Sequence, residues 1–129
     1  MDAESLFELF AEFGPVAVRR MFGSLGVFAD GLLIALVSDG VIYFKADAQT
    51  IPAFEREAQR PFTYATKNGE RSLSYWRMPD RLYDDTSELA QWARDALIVA
   101  RRRAEKPKNS GKIRRPSPRP TRPRGRSRT

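Results

Sequence analysis

Cysteine and histidine are both absent from the 129 residues of this chain. That excludes disulfides, thiolate nucleophiles, histidine bases and the usual ligand sets of zinc, haem and iron–sulfur centres, and leaves only a carboxylate site for magnesium or calcium open. Long apolar runs are missing too. The longest, GLLIALV at 31–37, is far short of the roughly 20 residues that a membrane-spanning helix needs. The N-terminus, MDAESLFELF, is acidic and amphipathic, unlike the positive segment and apolar stretch of a secretory signal. These features point to a soluble, cytoplasmic protein with no membrane partner. Phosphate-binding glycine motifs are lacking as well. There is no GxxxxGK[ST], and the glycines of RRMFGSLG at 19–26 lie between two apparent strands rather than between a strand and a helix. Gly23 and Gly26 are therefore read as positions where the backbone turns or takes a positive φ.

Charge is present but unevenly placed. Residues 1–100 carry 10 Arg/Lys against 15 Asp/Glu, a net of −5, and residues 101–129 carry 13 against 1, a net of +12. The pI of about 10.2 thus belongs to the C-terminal end, while the body is acidic. After Glu105 the last 24 residues contain 10 Arg/Lys, no acid and one large aliphatic, Ile113. Such a segment cannot bury enough apolar surface to offset its ordering entropy. The division expected is a globular domain at 1–104 and a disordered basic tail at 105–129, in which Ser110, Ser117, Thr121 and Ser127 are candidate phosphorylation sites.

Within the body, Leu6, Leu9, Phe10 and Phe13 share a helical stripe that Gly14-Pro15 ends. Val16 and Val18 alternate into a strand. The Asp30-Gly31 and Asp39-Gly40 pairs, set between VFA, LLIALVS and VIYFKA, are strong hairpin signals, so residues 16–46 read as an antiparallel meander. Asp47 is placed to cap a second helix with Ile51, Phe54 and Ala58 inward. FTYAT and RSLSYWRM flank an Asn68-Gly69 turn and make a second hairpin. Neither of its faces is wholly polar, so the sheet is expected to be covered on one side and used or shielded on the other. Asp85 and Glu88 form a capping box for a last helix whose Leu89, Trp92, Ala93, Ala96 and Ala100 face the core. The fold expected is α+β, an antiparallel sheet of about five strands in the order α-β-β-β-α-β-β-α, with helices packed on the sheet.

FGPVAVRRMFGSLGVFADGLLIALVSDGVIYFKAD, followed by PFTY at 61–64, LSYWRMP at 73–79 and LAQWARDAL at 89–97, resembles the N-terminal domain of the TfoX family, the competence regulators also called Sxy. The resemblance runs over residues 5 to about 103 as a stand-alone N-terminal domain with a basic tail. It implies an α+β unit without established catalytic residues. It also implies a regulatory role linked to competence or transcription, with a protein partner that could be a transcription factor. The resemblance covers only the N-terminal domain of full-length regulators, which leaves open whether competence regulation applies without their second, helical domain.

No cofactor or metal site follows from these residues, and the chain is not expected to be an enzyme. Asp80, Asp84 and Asp85 resemble a carboxylate cluster, but capping and solubility explain them more simply. Arg19, Arg20, Lys45 and Trp76 are the candidate partner surface. The plainer reading of the twin arginines is that one pairs with Asp30 or Asp47 while the other reaches solvent. Met21 and Phe22 are expected in the core, as is Trp92. Candidate nucleic-acid contacts, to DNA or RNA, are Arg101, Arg102, Arg103, Lys106, Lys108, Lys112, Arg114, Arg115, Arg119, Arg122, Arg124, Arg126 and Arg128. Spaced by Pro, Ser and Gly, they suit phosphate neutralisation without base reading. The alternative is a structural or adaptor protein whose tail only solubilises it. Oligomeric state stays open, because a sheet edge can pair with another subunit.

Overall fold

The computed structural model describes residues 1–21 and 23–105, with the side chains of residues 71 and 72 left aside. Asp2 opens the first helix, α1 (Ala3–Leu9), by accepting the Ser5 N–H at 2.9 Å. Leu6 and Phe10 are fully buried, and Leu9 and Phe13 pack at the core margin. Gly14 then turns the chain at φ +134°.

Four strands follow: β1 (Ala17–Met21), β2 (Ser24–Ala29), β3 (Leu32–Ser38) and β4 (Val41–Lys45). Both Asp-Gly pairs form the two-residue turns expected of them. Asp30 and Asp39 sit at φ 52°, and Gly31 and Gly40 at φ 75°, between the flanking pairs Ala29↔Leu32 and Ser38↔Val41. The second helix, α2 (Ile51–Arg56), leads to β5 (Pro61–Thr66) and β6 (Gly69–Arg77). A 3-10 turn (Asp80–Asp84) precedes the long helix α3 (Thr86–Glu105). All strands pair antiparallel in one sheet, in the order β1-β2-β3-β4-β6-β5.

The α+β class stands, with six strands rather than about five. The added strand lies in SLGVFA, which the sequence suggested only in its VFA half. The chain reverses so tightly that Met21 pairs with Ser24, and the whole segment joins the sheet. Gly26 therefore lies inside β2 and takes no positive φ, whereas Gly23 does, at +79°. The second hairpin also closes one residue early. Thr66 pairs with Gly69 across Lys67 and Asn68, and Gly69 carries the positive φ of 105°.

Register separates the two faces of the sheet. The rows Leu25↔Val37↔Ile42 and Val27↔Ala35↔Phe44↔Trp76 face the helices. Phe10 meets Phe44 with ring centroids 6.2 Å apart, and Phe54 of α2 lies 6.1 Å from Trp76 and 5.0 Å from Trp92. From α3, Leu89, Ala93, Ala96 and Ala100 close the core. Trp92, expected inside, is partly buried, because its Nε1 donates to Glu88 at 3.1 Å at the core margin.

Candidate functional site

Ion pairs on the acidic body fix α2 and α3 against the sheet. Asp85 caps α3 by accepting the Glu88 N–H at 3.1 Å. The Glu88 side chain does not complete the capping box. It accepts instead from Arg81 at 2.8 Å and from Trp92, and these bonds hold its carboxyl down at about 2. Arg81 reaches Glu57 as well, at 2.6 Å, joining α2, the 3-10 turn and α3. Of the three aspartates that resembled a cluster, Asp85 caps and Asp80 lies 3.4 Å from Arg77. Among the described residues no group of acidic side chains is arranged to hold a metal.

At the end of α3, Arg101 pairs with Asp30, and Arg102 donates to Asp47 at 3.1 and 2.7 Å. The two acids expected to serve the twin arginines of β1 are thus taken by the last helix. Asp47 does more than close this pair. Its Oδ1 accepts the Gln49 N–H at 3.0 Å and the Thr50 N–H at 3.3 Å, shaping the turn ahead of α2, whose N-cap is Thr50 rather than Asp47. Burial alone would push the Asp47 carboxyl up. The guanidinium and the amides outweigh it and hold it below its ordinary value.

The candidate partner residues fall on two faces. Trp76, in the row of Phe44, is partly buried beneath Phe54, and Arg20, in the row of Leu25, is exposed on the first strand. Arg19 is on the opposite side; Lys45 shares that side by strand alternation but also lines a concavity between α2 and α3. Arg19 is exposed and sits 5.5 Å from the centre of the Phe28 ring. Lys45 pairs across strands with Tyr75, its Nζ 5.0 Å from the ring centre and 3.1 Å from the hydroxyl. Burial, with Arg103 nearby, lowers the Lys45 pKa. Met21 lies outside the core, and Phe22 and the candidates from Lys106 to Arg128 lie outside the described residues. Arg103 is exposed in the last turn of α3.

A second side of the sheet, used or shielded, is expected from the sequence, but not which residues it brings together. Arg19↔Gly26↔Leu36↔Tyr43↔Arg77 form one continuous row across five strands. Phe28 and Leu33 pair beside it. A Cβ on Gly26 would lie 2.5 Å from Met21 Sδ, 2.9 Å from Leu33 Cδ1 and 3.1 Å from Phe28 Cε1. Three apolar side chains therefore converge over a bare Cα. Phe62 meets Tyr43 edge-on at 4.8 Å, and Tyr64 and Leu73 continue the same alternation outward as exposed residues. Among the described residues, α1, α2 and α3 pack on the other side. The signal was the alternation in SLGVFA and VIYFK, but only strand order places the residues in one row.

The concavity between α2 and α3, partly open and lined by Lys45, Thr50, Phe54, Trp92 and Asp95, has a volume of about 130 Å³. That is below the roughly 300 Å³ from which ligand pockets usually begin.

The described residues thus form a two-layer α+β sandwich in which one face of the sheet carries no helix. The model of the TfoX N-terminal domain matches residues 8–100, and the chain belongs to that family. Among curated relatives, Protein Sxy of Escherichia coli (strain K12) is 27% identical over 93 residues, which cover 72% of this chain and 44% of that protein. DNA transformation protein TfoX1 of Aliivibrio fischeri (strain ATCC 700601 / ES114) is 23% identical over 113 residues, 86% of this chain and 54% of that protein. The chain spans about half the length of these two relatives. No helix among the described residues is long and apolar enough to cross a membrane.

Proposed function

We propose that this chain is a non-enzymatic TfoX-like regulatory protein. Its body docks on a protein partner, a transcription factor being the kind the family suggests, and its basic tail attaches the assembly to DNA or RNA. The observation that carries the reading is the family match over residues 8–100, with a relative whose name ties it to DNA transformation. The charge split adds to it, a net of −5 over residues 1–100 against +12 beyond. The contact it provides is electrostatic and sequence-independent. Arg101 and Arg102 hold α3 to Asp30 and Asp47, so the attachment rests mainly on Arg103 and the tail cations from Lys106 to Arg128.

The test is fluorescence anisotropy with labelled duplex DNA and RNA across a salt series. It compares the full chain with a variant in which Arg114, Arg115, Arg119, Arg122, Arg124, Arg126 and Arg128 are serine. A steep salt slope that flattens in the variant supports attachment through the tail. Equal retention by both proteins sinks it.

A further inference from the structure

The helix-free face of the sheet differs in chemistry from the rest of the body. Residues 1–100 carry 15 acids, yet among the described strands the only acid is Glu70, which shares the face of the helix-side residue Trp76. The open face carries cations with aromatic and aliphatic side chains instead. Arg19 and Arg77 stand at the two ends of the central row, with Leu36 and Tyr43 between them. Arg19 already lies over Phe28, whereas the pair of half-buried Lys45 and buried Tyr75 is at the margin near α2 and α3 and does not belong to this surface. Arg77 has one acidic neighbour, Asp80, in an exposed pair at 3.4 Å, and such pairs hold weakly.

A second copy of the chain fits this face poorly, because stacking two such sheets would bury arginines against apolar side chains. The acids nearest to them, Asp30 beside Arg19 and Asp80 beside Arg77, lie in turns outside the strands, and Asp30 is already paired with Arg101. A polyanion with planar apolar groups fits both halves of the chemistry. Duplex DNA presents phosphates, sugars and the edges of its bases, but keeps the base faces stacked inside and out of reach of rings on a sheet. A single strand can turn its bases onto rings while its phosphates meet the flanking guanidinium groups.

We infer that the open face of the sheet binds single-stranded nucleic acid, with Phe28, Tyr43 and Phe62 as stacking surfaces and Arg19 and Arg77 as backbone contacts. This moves Arg19 from a protein-contact surface to a nucleic-acid one and leaves the helical side of the body for a protein partner. The inference does not depend on the tail, whose cations would add affinity for single and double strands alike.

The experiment uses the full chain and labelled oligo-dT and oligo-U of about 12 nucleotides, within the span one sheet-borne site covers, with a duplex of equal length as comparison. Phe28→Leu with Tyr43→Leu keeps the face apolar and removes two rings. It is expected to weaken single-strand binding about tenfold or more, with the salt slope unchanged. Arg19→Ala with Arg77→Ala is expected to lower the single-strand salt slope by one to two. Neither pair alters duplex binding. Thermal midpoints report folding, and the arginine pair, at solvent-facing positions, keeps the test decisive should the leucine pair unfold.

Single-strand binding that is unchanged in both variants overturns the inference, even where serine replacement in the tail abolishes binding. Conversely, loss in the face variants with no effect of the tail variant upholds the face and sinks the tail reading. Concentration-dependent dimers that Tyr43→Leu dissociates, with oligonucleotide binding unaffected, would assign the face to self-association and also overturn it.

Discussion

Individual side chains here act through what they displace or hold. Glu88 is the clearest case, since Arg81 and Trp92 keep its carboxyl at about 2 against an ordinary 4.5. A depressed acid contributes stability that is fully present above the unfolded value and is lost as pH falls toward the folded one. Glu88→Gln should therefore lower the thermal midpoint at pH 7, and the difference from the parent protein should close between pH 4.5 and 2, read from melts across that range. Glycine roles separate in the same way. Gly31, at φ 75°, should cost about 1 kcal/mol or more when replaced by alanine, because the left-handed turn resists a Cβ. Gly26→Ala meets side-chain tips rather than a backbone restriction, and Met21 and Leu33 can swing toward the open face. Its cost should stay near the low end of overpacking, about 1 kcal/mol. Urea unfolding of both variants, with accessibility of Met21 to oxidation as a second reading, checks the contrast. The Asp30-Gly31 turn could be read from two adjacent letters. The role of Gly26 could not, since Met21, Phe28 and Leu33 come from three strands.

Among the elements, α3 has the most to lose. Its alanines set how closely it approaches the sheet, and Ala93 is fully buried. Ala93→Leu should destabilise the fold by about 1–3 kcal/mol through overpacking. Ile98→Ala, at a position 45% exposed on the same helix, should stay within about 0.5 kcal/mol. Chemical denaturation of the two variants tests which face of the helix is inside. The C-terminal end of α3 is tied by partly buried Arg102, so Arg102→Ala should cost about 1 kcal/mol, toward the value of exposed pairs. It should also speed amide exchange at Gln49 and Thr50, whose N–H groups share the Asp47 carboxylate. The stripe of α3 and the Asp85 cap were legible from spacing and residue type. The pairing of Arg101 and Arg102 was not, because Asp30 and Asp47 are 71 and 55 residues away.

For the whole molecule, the core closes within residues 6–100, while the positive charge lies mostly beyond it. Serine replacement of the seven tail arginines should leave the thermal midpoint unchanged and reduce duplex binding strongly at low salt. A melt and a salt titration on the same sample test both halves. A drop in midpoint would show that the tail supports the body. The sheet closes the remaining gap between residue pattern and surface. Arg19 and Arg77, 58 positions apart in the chain, end the same row only because β6 inserts beside β4.

Local chemistry within a few residues determined much of this protein. The absence of cysteine and histidine, the Asp-Gly turns, the α3 stripe, the α+β class and the family resemblance were all readable from neighbouring letters. They depend on backbone preference and periodicity, which act over short spans of chain. Tertiary structure decided the sixth strand, the exchange of Asp30 and Asp47 from β1 to α3, and the segregation of acids away from one face of the sheet. Those follow from strand order and register, set by the summed packing of helices on one side, which no local stretch of sequence contains.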